Sequence, residues 1–339
     1  MTCVFEQASY LTQVNRLRAM AYEVVKCYPF KVKTIEFIKY SANAIFKLTD
    51  TEKKSYALRI NPSQYHTHQA ILEEITWLLH IVDTTDLRVP LPVQSVDGQF
   101  LIEAKHPLIT SSRFCMVFEW LPGKRRWKSI NEHYAHHLGE TIAKLQKSGQ
   151  GIDMKHRKNW LADSLVGTDI ARFYNIEKLS DVTFQEQKEI TAARRAVYGK
   201  LKPYEITHQE KVGVIHADTQ PNNILINKGE YAVIDFDDCG VGFYGYDLAQ
   251  ALCAFEHVTE ADRVKSFIKL REALFNGYSA LMPFSQEDIE LSAYFMLASK
   301  LMTISWLEAR KHNPSLRYYF PIAVKRSIDF FLNMNKHSV

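Results

Sequence analysis

The chain has 339 residues, 46% hydrophobic and 24% charged, which is long enough for two lobes with their own cores and unlike a disordered or low-complexity polypeptide. Lysine and arginine total 42 against 38 acidic residues, so a net charge of +4 argues against a nucleic-acid arm, and no run of about 18 apolar residues offers a membrane span. Five scattered cysteines, Cys3, Cys27, Cys115, Cys239 and Cys253, lack metal-ligand spacing and point to reduced thiols in a cytoplasmic protein.

The polar N-terminus, with Glu6 and Arg16 in a helical pattern, has no apolar core of signal-peptide length. A leading helix over Tyr10–Cys27 places Leu11, Val14, Leu17 and Ala21 on one side. Three strands are expected next, over Val32–Tyr40, Ala44–Thr49 and Ser55–Ile60. The turn Ser41-Ala42-Asn43 between the first two lacks the glycines of a phosphate-covering loop. A helix over His68–Val82 carries Ile71, Ile75, Leu78, Leu79 and Val82 on its apolar face, with Glu73 and Glu74 among them. Asp97-Gly98 signals a two-residue hairpin between 89–96 and 100–103. The apolar run 114–120 then reads as a strand leading into Leu121-Pro122-Gly123, where the boundary between two lobes, 1–121 and 122–339, is drawn.

Beyond that point the pattern is mostly helical. Lys124, Arg125, Arg126 and Lys128 form the densest basic patch, and a solvated loop face explains it. His133–Lys147 presents Leu138, Ile142 and Leu145 on one stripe; His133, His136 and His137 lack a partner at metal-ligand spacing and read as surface histidines. Thr183 with Glu186, and Ser285 with Asp288, have capping-box spacing, each opening a long helix.

Between those boxes lies the most informative stretch, Val214-Ile215-His216-Ala217-Asp218-Thr219-Gln220-Pro221-Asn222-Asn223, followed by Ile234-Asp235-Phe236. The spacing follows the kinase pattern H-x-D-x-x-x-x-N and then D-F-x. Phosphoryl transfer from ATP needs one carboxylate to accept the hydroxyl proton, and an Asn and a second carboxylate to hold the metal. Lys228-Gly229-Glu230 signals a hairpin between 224–227 and 231–234 that would bring Asn223 beside Asp235. Taken singly, each could be a turn-forming residue; three in this order between apolar strands form a catalytic set.

The stretch Ile234-Asp235-Phe236-Asp237-Asp238-Cys239-Gly240-Val241-Gly242, continuing to Tyr246-Asp247-Leu248-Ala249, resembles the aminoglycoside phosphotransferase and choline kinase group, built on a protein-kinase-like fold. The resemblance implies Asp218 as catalytic base, Asn223 and Asp235 as metal ligands, and Asp247 as a buried brace of the catalytic loop, an alternative to a plain N-cap of the helix near Leu248. Two departures stand out: Ala217 where the family usually has Gly, and Gln220 where it usually has His. Ser41 and Asn43 match residues the family tends to have in its phosphate-covering loop. Arg59 stands where protein kinases have their phosphate-contacting Lys, and Glu74, within Glu74-Ile75-Thr76-Trp77-Leu78, is its expected partner, with Glu73 as rival. The backbone at Glu119 and Leu121 would bind the adenine edge, although an ordinary buried strand and turn fits the same residues.

The sequence therefore leads to an α+β, bilobal protein-kinase-like fold, with an N-terminal antiparallel sheet, one key helix and a mostly helical C-terminal lobe. The implied activity is ATP- and Mg²⁺-dependent phosphorylation of a small-molecule hydroxyl, by a monomer or weak dimer with no nucleic-acid or membrane partner. The acceptor class stays open among aminoglycosides, choline or ethanolamine, homoserine and sugars. Glu256, Glu260, Asp262, Glu287, Asp288 and Glu290 could line a pocket for a cationic acceptor, but solvated helix faces fit their spacing better. The alternatives are a nucleotide-binding pseudoenzyme and a protein Ser/Thr kinase; the second is disfavoured by the missing A-P-E and the short run from Asp235 to Asp247.

Overall fold

The computed structural model describes residues 4–63, 65–125, 130–261, 266–311 and 313–336; Cys3, Arg126, Lys128 and Asp262 lie outside them. Two compact units result. The first joins Met1–Lys124 to two later pieces, Lys155–Arg157 and Leu225–Ile234, and the second takes Arg125–Met154, Lys158–Ile224 and Asp235–Val339.

In the first unit, α1 (Tyr10–Val24) precedes β1 (Val32–Tyr40), β2 (Ala44–Asp50) and β3 (Ser55–Ile60). Then follow α2 (His68–Thr84), β4 (Pro92–Val93), β5 (Ile102–His106) and β6 (Ile109–Glu119). The strands form one antiparallel sheet in the order β1-β2-β3-β6-β4, with β5 also on β6. Strict alternation of buried and half-buried positions along β2 is the period-two pattern of a sheet packed on one face. Phe46, Leu48, Leu58 and Val117 meet Leu17, Met20 and Ala21 of α1 in a core that is fully closed to solvent. Helix α2 starts where Thr67 Oγ1 accepts the Ala70 N–H at 3.1 Å, and it buries Ile71, Ile75, Trp77 and Leu78.

The Asp97-Gly98 hairpin is not formed between its expected strands. The turn exists, with Ser95 N–H donating to the Gln99 carbonyl at 2.8 Å, but β4 and β5 both pair with β6 instead. Pro90 and Pro92 limit β4 to two residues, since proline cannot donate to a ladder, and the eleven-residue β6 takes up both partners.

The second unit contains α3 (Glu132–Ser148), α4 (Ala162–Val166) and α5 (Phe184–Thr207). After β7 (Val212–Ile215) the chain forms the hairpin β8 (Ile224–Asn227) and β9 (Glu230–Val233), most of which belongs to the first unit. The remainder is β10 (Gly240–Phe243), α6 (Tyr244–Ala261), α7 (Phe267–Ser279), α8 (Gln286–Glu308), α9 (Pro314–Arg317) and α10 (Tyr319–Lys336). Both capping boxes form at the starts of α5 and α8. The β8–β9 turn uses positive φ at Lys228 and Gly229 (50° and 89°), so Glu230 joins the strand rather than the turn. No helix among the described residues is long and apolar enough to cross a membrane.

Strand β10, antiparallel to β7, has no signal in the sequence because glycine disfavours strands. Gly242 lies opposite Gly213. A Cβ on Gly242 would sit 2.6 Å from Trp160 Cβ, and one on Gly213 only 2.2 Å from the Tyr244 hydroxyl. Close packing of these two aromatics requires the glycines.

Candidate active site

His216, Ala217 and Asp218 leave the end of β7 in a tight bend. Ala217 has φ +65°, a left-handed conformation costing an L-residue about 1–2 kcal/mol. The bend is held by Asp247, fully buried in the first turn of α6. Its carboxylate accepts the Ala217 N–H at 2.7 Å and the His216 N–H at 3.1 Å. Gln146 donates to the same carboxylate at 3.3 Å, and Thr219 Oγ1 donates to the Asp247 carbonyl at 2.5 Å. Because α6 begins at Tyr244, Asp247 is not its N-cap; it braces the loop. Burial pushes its carboxyl up to about 6, against the pull of the two N–H groups and Gln146.

Asp218 is half-buried on this loop. Gln220 Nε2 donates to its Oδ1 at 2.7 Å, and Asn223 Nδ2 donates to its Oδ2 at 2.5 Å and to its carbonyl at 2.9 Å. Gln220, the residue departing from the family pattern, therefore orients the carboxylate. Burial, then the carboxylates of Asp235 and Asp238, push Asp218 up to about 7, with Gln220 and Asn223 pulling the other way. Asn223 ends a short turn just before β8, and Asp235 follows β9. Asp235 also adopts left-handed backbone (φ 69°, ψ 62°), a strained conformation of the kind that clusters at functional sites. Asp218 and Asn223 thus meet on one loop, with Asp235 near enough for its charge to act on Asp218.

In the first unit, Arg59 on β3 and Glu74 on α2 form a bidentate pair, with Nη1 and Nη2 donating to Oε1 and Oε2 at 2.8 Å each. Both side chains are buried. Glu73 is not the alternative partner: its carboxylate accepts the backbone N–H groups of His156 and Arg157 at 3.1 Å, and His156 Nδ1 lies 2.6 Å away. Arg157, fully enclosed, reaches Glu74 Oε2 at 3.4 Å and the Ala70 carbonyl at 3.3 Å. No local pattern in Lys155-His156-Arg157 distinguishes it from a surface basic run, so sequence reasoning missed this second guanidinium.

Ser41 and Asn43 form the β1–β2 turn, joined by Ser41 N–H to the Asn43 carbonyl at 3.4 Å; Asn43 is buried. Glu119 ends β6, where its N–H donates to the Leu91 carbonyl at 2.8 Å and its carboxylate meets Lys54 at 3.1 Å. Leu121 is half-buried just past the strand. His136 and His137 pair with Glu140 on α3, and no cluster of three or more His, Cys, Asp or Glu side chains in metal-binding arrangement occurs among the described residues. Of the acidic set on the later helices, Asp288 is held by Lys211 and Tyr204, Glu256 by Lys300, and Glu287 lies 3.5 Å from His208.

Residues 35–287 match the phosphotransferase enzyme family. The chain belongs to that family. It is similar to the amicoumacin kinase of Bacillus subtilis, 20% identical over 232 residues that cover 67% of this chain and 65% of that protein. The curated relatives are matched over 62% and 65% of their own length. Among solved structures, a microcompartment-associated aminopropanol kinase is 22% identical with a TM-score of 0.76, covering 93% of this chain and 94% of that one. An amicoumacin kinase in complex with AMP-PNP, Ca²⁺ and amicoumacin is 17% identical with a TM-score of 0.75, covering 94% and 95%. These likenesses establish the kinase-like α+β fold of the chain.

Proposed function

We propose that the protein transfers the γ-phosphate of ATP to a hydroxyl of a small molecule. The observation carrying this reading is the loop on which Asp218, bonded to Asn223 and Gln220, is braced from behind by the buried Asp247. Asp218 accepts the proton as the hydroxyl oxygen bonds to phosphorus and ADP departs; its elevated pKa suits a proton acceptor working near neutrality. Gln220 and Asn223 fix the direction of that carboxylate.

The donor set fits a hard divalent cation. Asn223 turns its amide nitrogen to Asp218, which leaves its oxygen with the Asp235 carboxylate as ligands, and two protein oxygens are what magnesium takes when phosphates and waters complete its shell. A bound Mg²⁺ would neutralise charge on the phosphates. The complex of the similar amicoumacin kinase with AMP-PNP and Ca²⁺ supports a nucleotide and a divalent ion here. Arg59 would contact phosphate oxygens with N–H groups other than those on Glu74. Ser41 and Asn43 would lie over the phosphates. An adenine could meet Glu119 only through its carbonyl, since its N–H is already given to Leu91, and Leu121 through its N–H. We read the unit carrying Arg59 as the nucleotide lobe and the unit carrying Asp218 as the acceptor lobe. Acceptor-stimulated ADP release across a panel of hydroxyl compounds, repeated with Asp218→Asn, tests this reading; ADP release indifferent to every acceptor and to the substitution would reject it.

A further inference from the structure

Behind the catalytic loop, a series of buried hydrogen bonds runs on past Asp247 to a helix with no role in the chemistry described so far. Gln146, in the last turn of α3, is fully buried. Its Nε2 donates to the Asp247 carboxylate at 3.3 Å and to the Tyr244 carbonyl at 3.1 Å. A carbonyl can only accept, so the amide nitrogen must face Tyr244 and Oε1 must face away from it. Oε1 accepts from the hydroxyl of Tyr278, on α7, at 2.6 Å. Burial, then the neighbouring Tyr244, Asp247 and Asp288, push that hydroxyl up, so it keeps the proton it donates. The series therefore leads from Tyr278 to Gln146 to Asp247, and from Asp247 to the N–H groups of His216 and Ala217, directly before Asp218.

Backbone contact between α3 and α7 makes this reach possible. A Cβ on Gly139 of α3 would lie 2.1 Å from the Leu274 carbonyl oxygen and 2.7 Å from the Tyr278 nitrogen. One on Gly277 of α7 would lie 2.0 Å from the His136 carbonyl oxygen. Neither position has room for a side chain, so the two helices touch backbone to backbone. Gly139 and Gln146 share a face of α3, roughly two turns apart, and this contact sets Tyr278 against Gln146.

Two features tie the series to the loop. The Asp247 carboxylate turns Oδ1 to Ala217 and Oδ2 to His216, and Gln146 donates to Oδ2, so the amide fixes the rotation of the carboxylate. The backbone it grips holds Ala217 in the left-handed region, a conformation that persists only where its surroundings over-determine it. Apolar side chains could occupy the Gln146 and Tyr278 positions with no buried polar atom to satisfy.

We propose that Tyr278 and Gln146 are positioning residues for phosphoryl transfer: through the Asp247 carboxylate they hold the backbone of His216 and Ala217, and with it the direction in which Asp218 meets the acceptor hydroxyl. Both are closed to solvent, so neither touches a substrate. Their part in catalysis rests on the reading of Asp218 as the base, whereas their hold on the loop does not.

Tyr278→Phe keeps the ring and removes only the donor; Gln146→Met keeps the length and removes both functions. In acceptor-stimulated ADP release each should lower kcat about fivefold to hundredfold, the equivalent of a buried acceptor left without its donor. The KM for ATP and for the acceptor should stay within about twofold, since the lost contact acts on the reacting geometry and not on binding. Gln146→His, whose ring can accept at one nitrogen and donate at the other, should recover most of kcat. Leu270→Ala is the control: it removes a buried side chain from the same helix but no member of the series, and should lower the melting temperature while leaving unchanged the kcat per nucleotide-binding site counted by calorimetry. Hydrogen exchange reads the hold without turnover: the Ala217 amide should exchange about tenfold faster or more in Tyr278→Phe and Gln146→Met, but not in Leu270→Ala. An unchanged kcat in Tyr278→Phe, an equal kcat loss in Leu270→Ala, or unchanged exchange at Ala217 would overturn the proposal. If no hydroxyl compound stimulates ADP release from the unsubstituted protein, the phosphotransfer reading fails by itself, and exchange at Ala217 still supports or rejects the hold of α7 on the loop.

Discussion

Replacing Glu74 with alanine removes the acceptor of two buried guanidinium groups at once. Arg59 donates to it twice at 2.8 Å and Arg157 once at 3.4 Å, with Glu74 itself only 1% exposed. Removing one partner from a buried ion pair typically costs about 3–5 kcal/mol, because the remaining charge loses its compensation without regaining water. Glu74→Ala should reach that range. Arg59→Ala should cost less, about 1–3 kcal/mol, since Glu74 keeps Arg157 beside it. The double variant should fall short of the sum by about 0.5–3 kcal/mol, as contacting residues do. With two units in the chain a single global unfolding energy is poorly defined, so hydrogen exchange of the amides of α2 is the suitable local assay. The KM for ATP, measured alongside, should rise in all three variants. Additive losses would refute the coupling, and a Glu74→Ala effect within about 0.5 kcal/mol of zero would reduce the pair to a surface contact.

Asp218→Asn should lower transfer about 10²- to 10⁴-fold while calorimetric nucleotide affinity is retained, and near-full turnover would eliminate the base. EDTA should abolish activity, and Asp235→Ala should impair it more than Asn223→Ala, because a carboxylate neutralises more of the ion's charge than an amide; metal-free turnover would sink the assignment. Ala217→Gly should raise stability by up to about 1 kcal/mol, the relief of a left-handed alanine less the entropy glycine loses; a lower melting temperature would contradict the strain. Asp288 supplies a pH test: burial pushes its carboxyl up, but Lys211 at 2.6 Å, the Ser285 N–H and Tyr204 hold it net below its usual range. A group whose folded-state pKa is the lower one lends stability above the unfolded value, about 3.9, and loses it as pH falls further, so Asp288→Asn should flatten the acid limb of a stability–pH curve below about pH 4.

What the sequence determined by itself was the set of elements and turns that short spacing encodes. Polar turns between them made β1, β2 and β3 legible almost to the residue, Thr183-x-x-Glu186 and Ser285-x-x-Asp288 opened their helices as expected, and Asn223 and Asp235 flank a hairpin whose turn is written in Lys228-Gly229. The pairing of Arg59 with Glu74 rather than Glu73 was expected only through the resemblance of Glu74-Ile75-Thr76-Trp77-Leu78 to the family's pattern, and the structure forms it. The tertiary structure decided the rest. Asp97-Gly98 turns the chain without making a hairpin because the prolines before it leave β4 too short. Strand β10 exists because Gly213 and Gly242 admit Trp160 and Tyr244, a condition invisible to strand propensity. Glu73 and Arg157, 84 residues apart, meet through a backbone amide, and Arg172 reaches Asp238 across 66 positions. Periodicity and turn chemistry act over a few residues and are written locally, whereas burying a charge requires a partner that only the folded chain can bring to it.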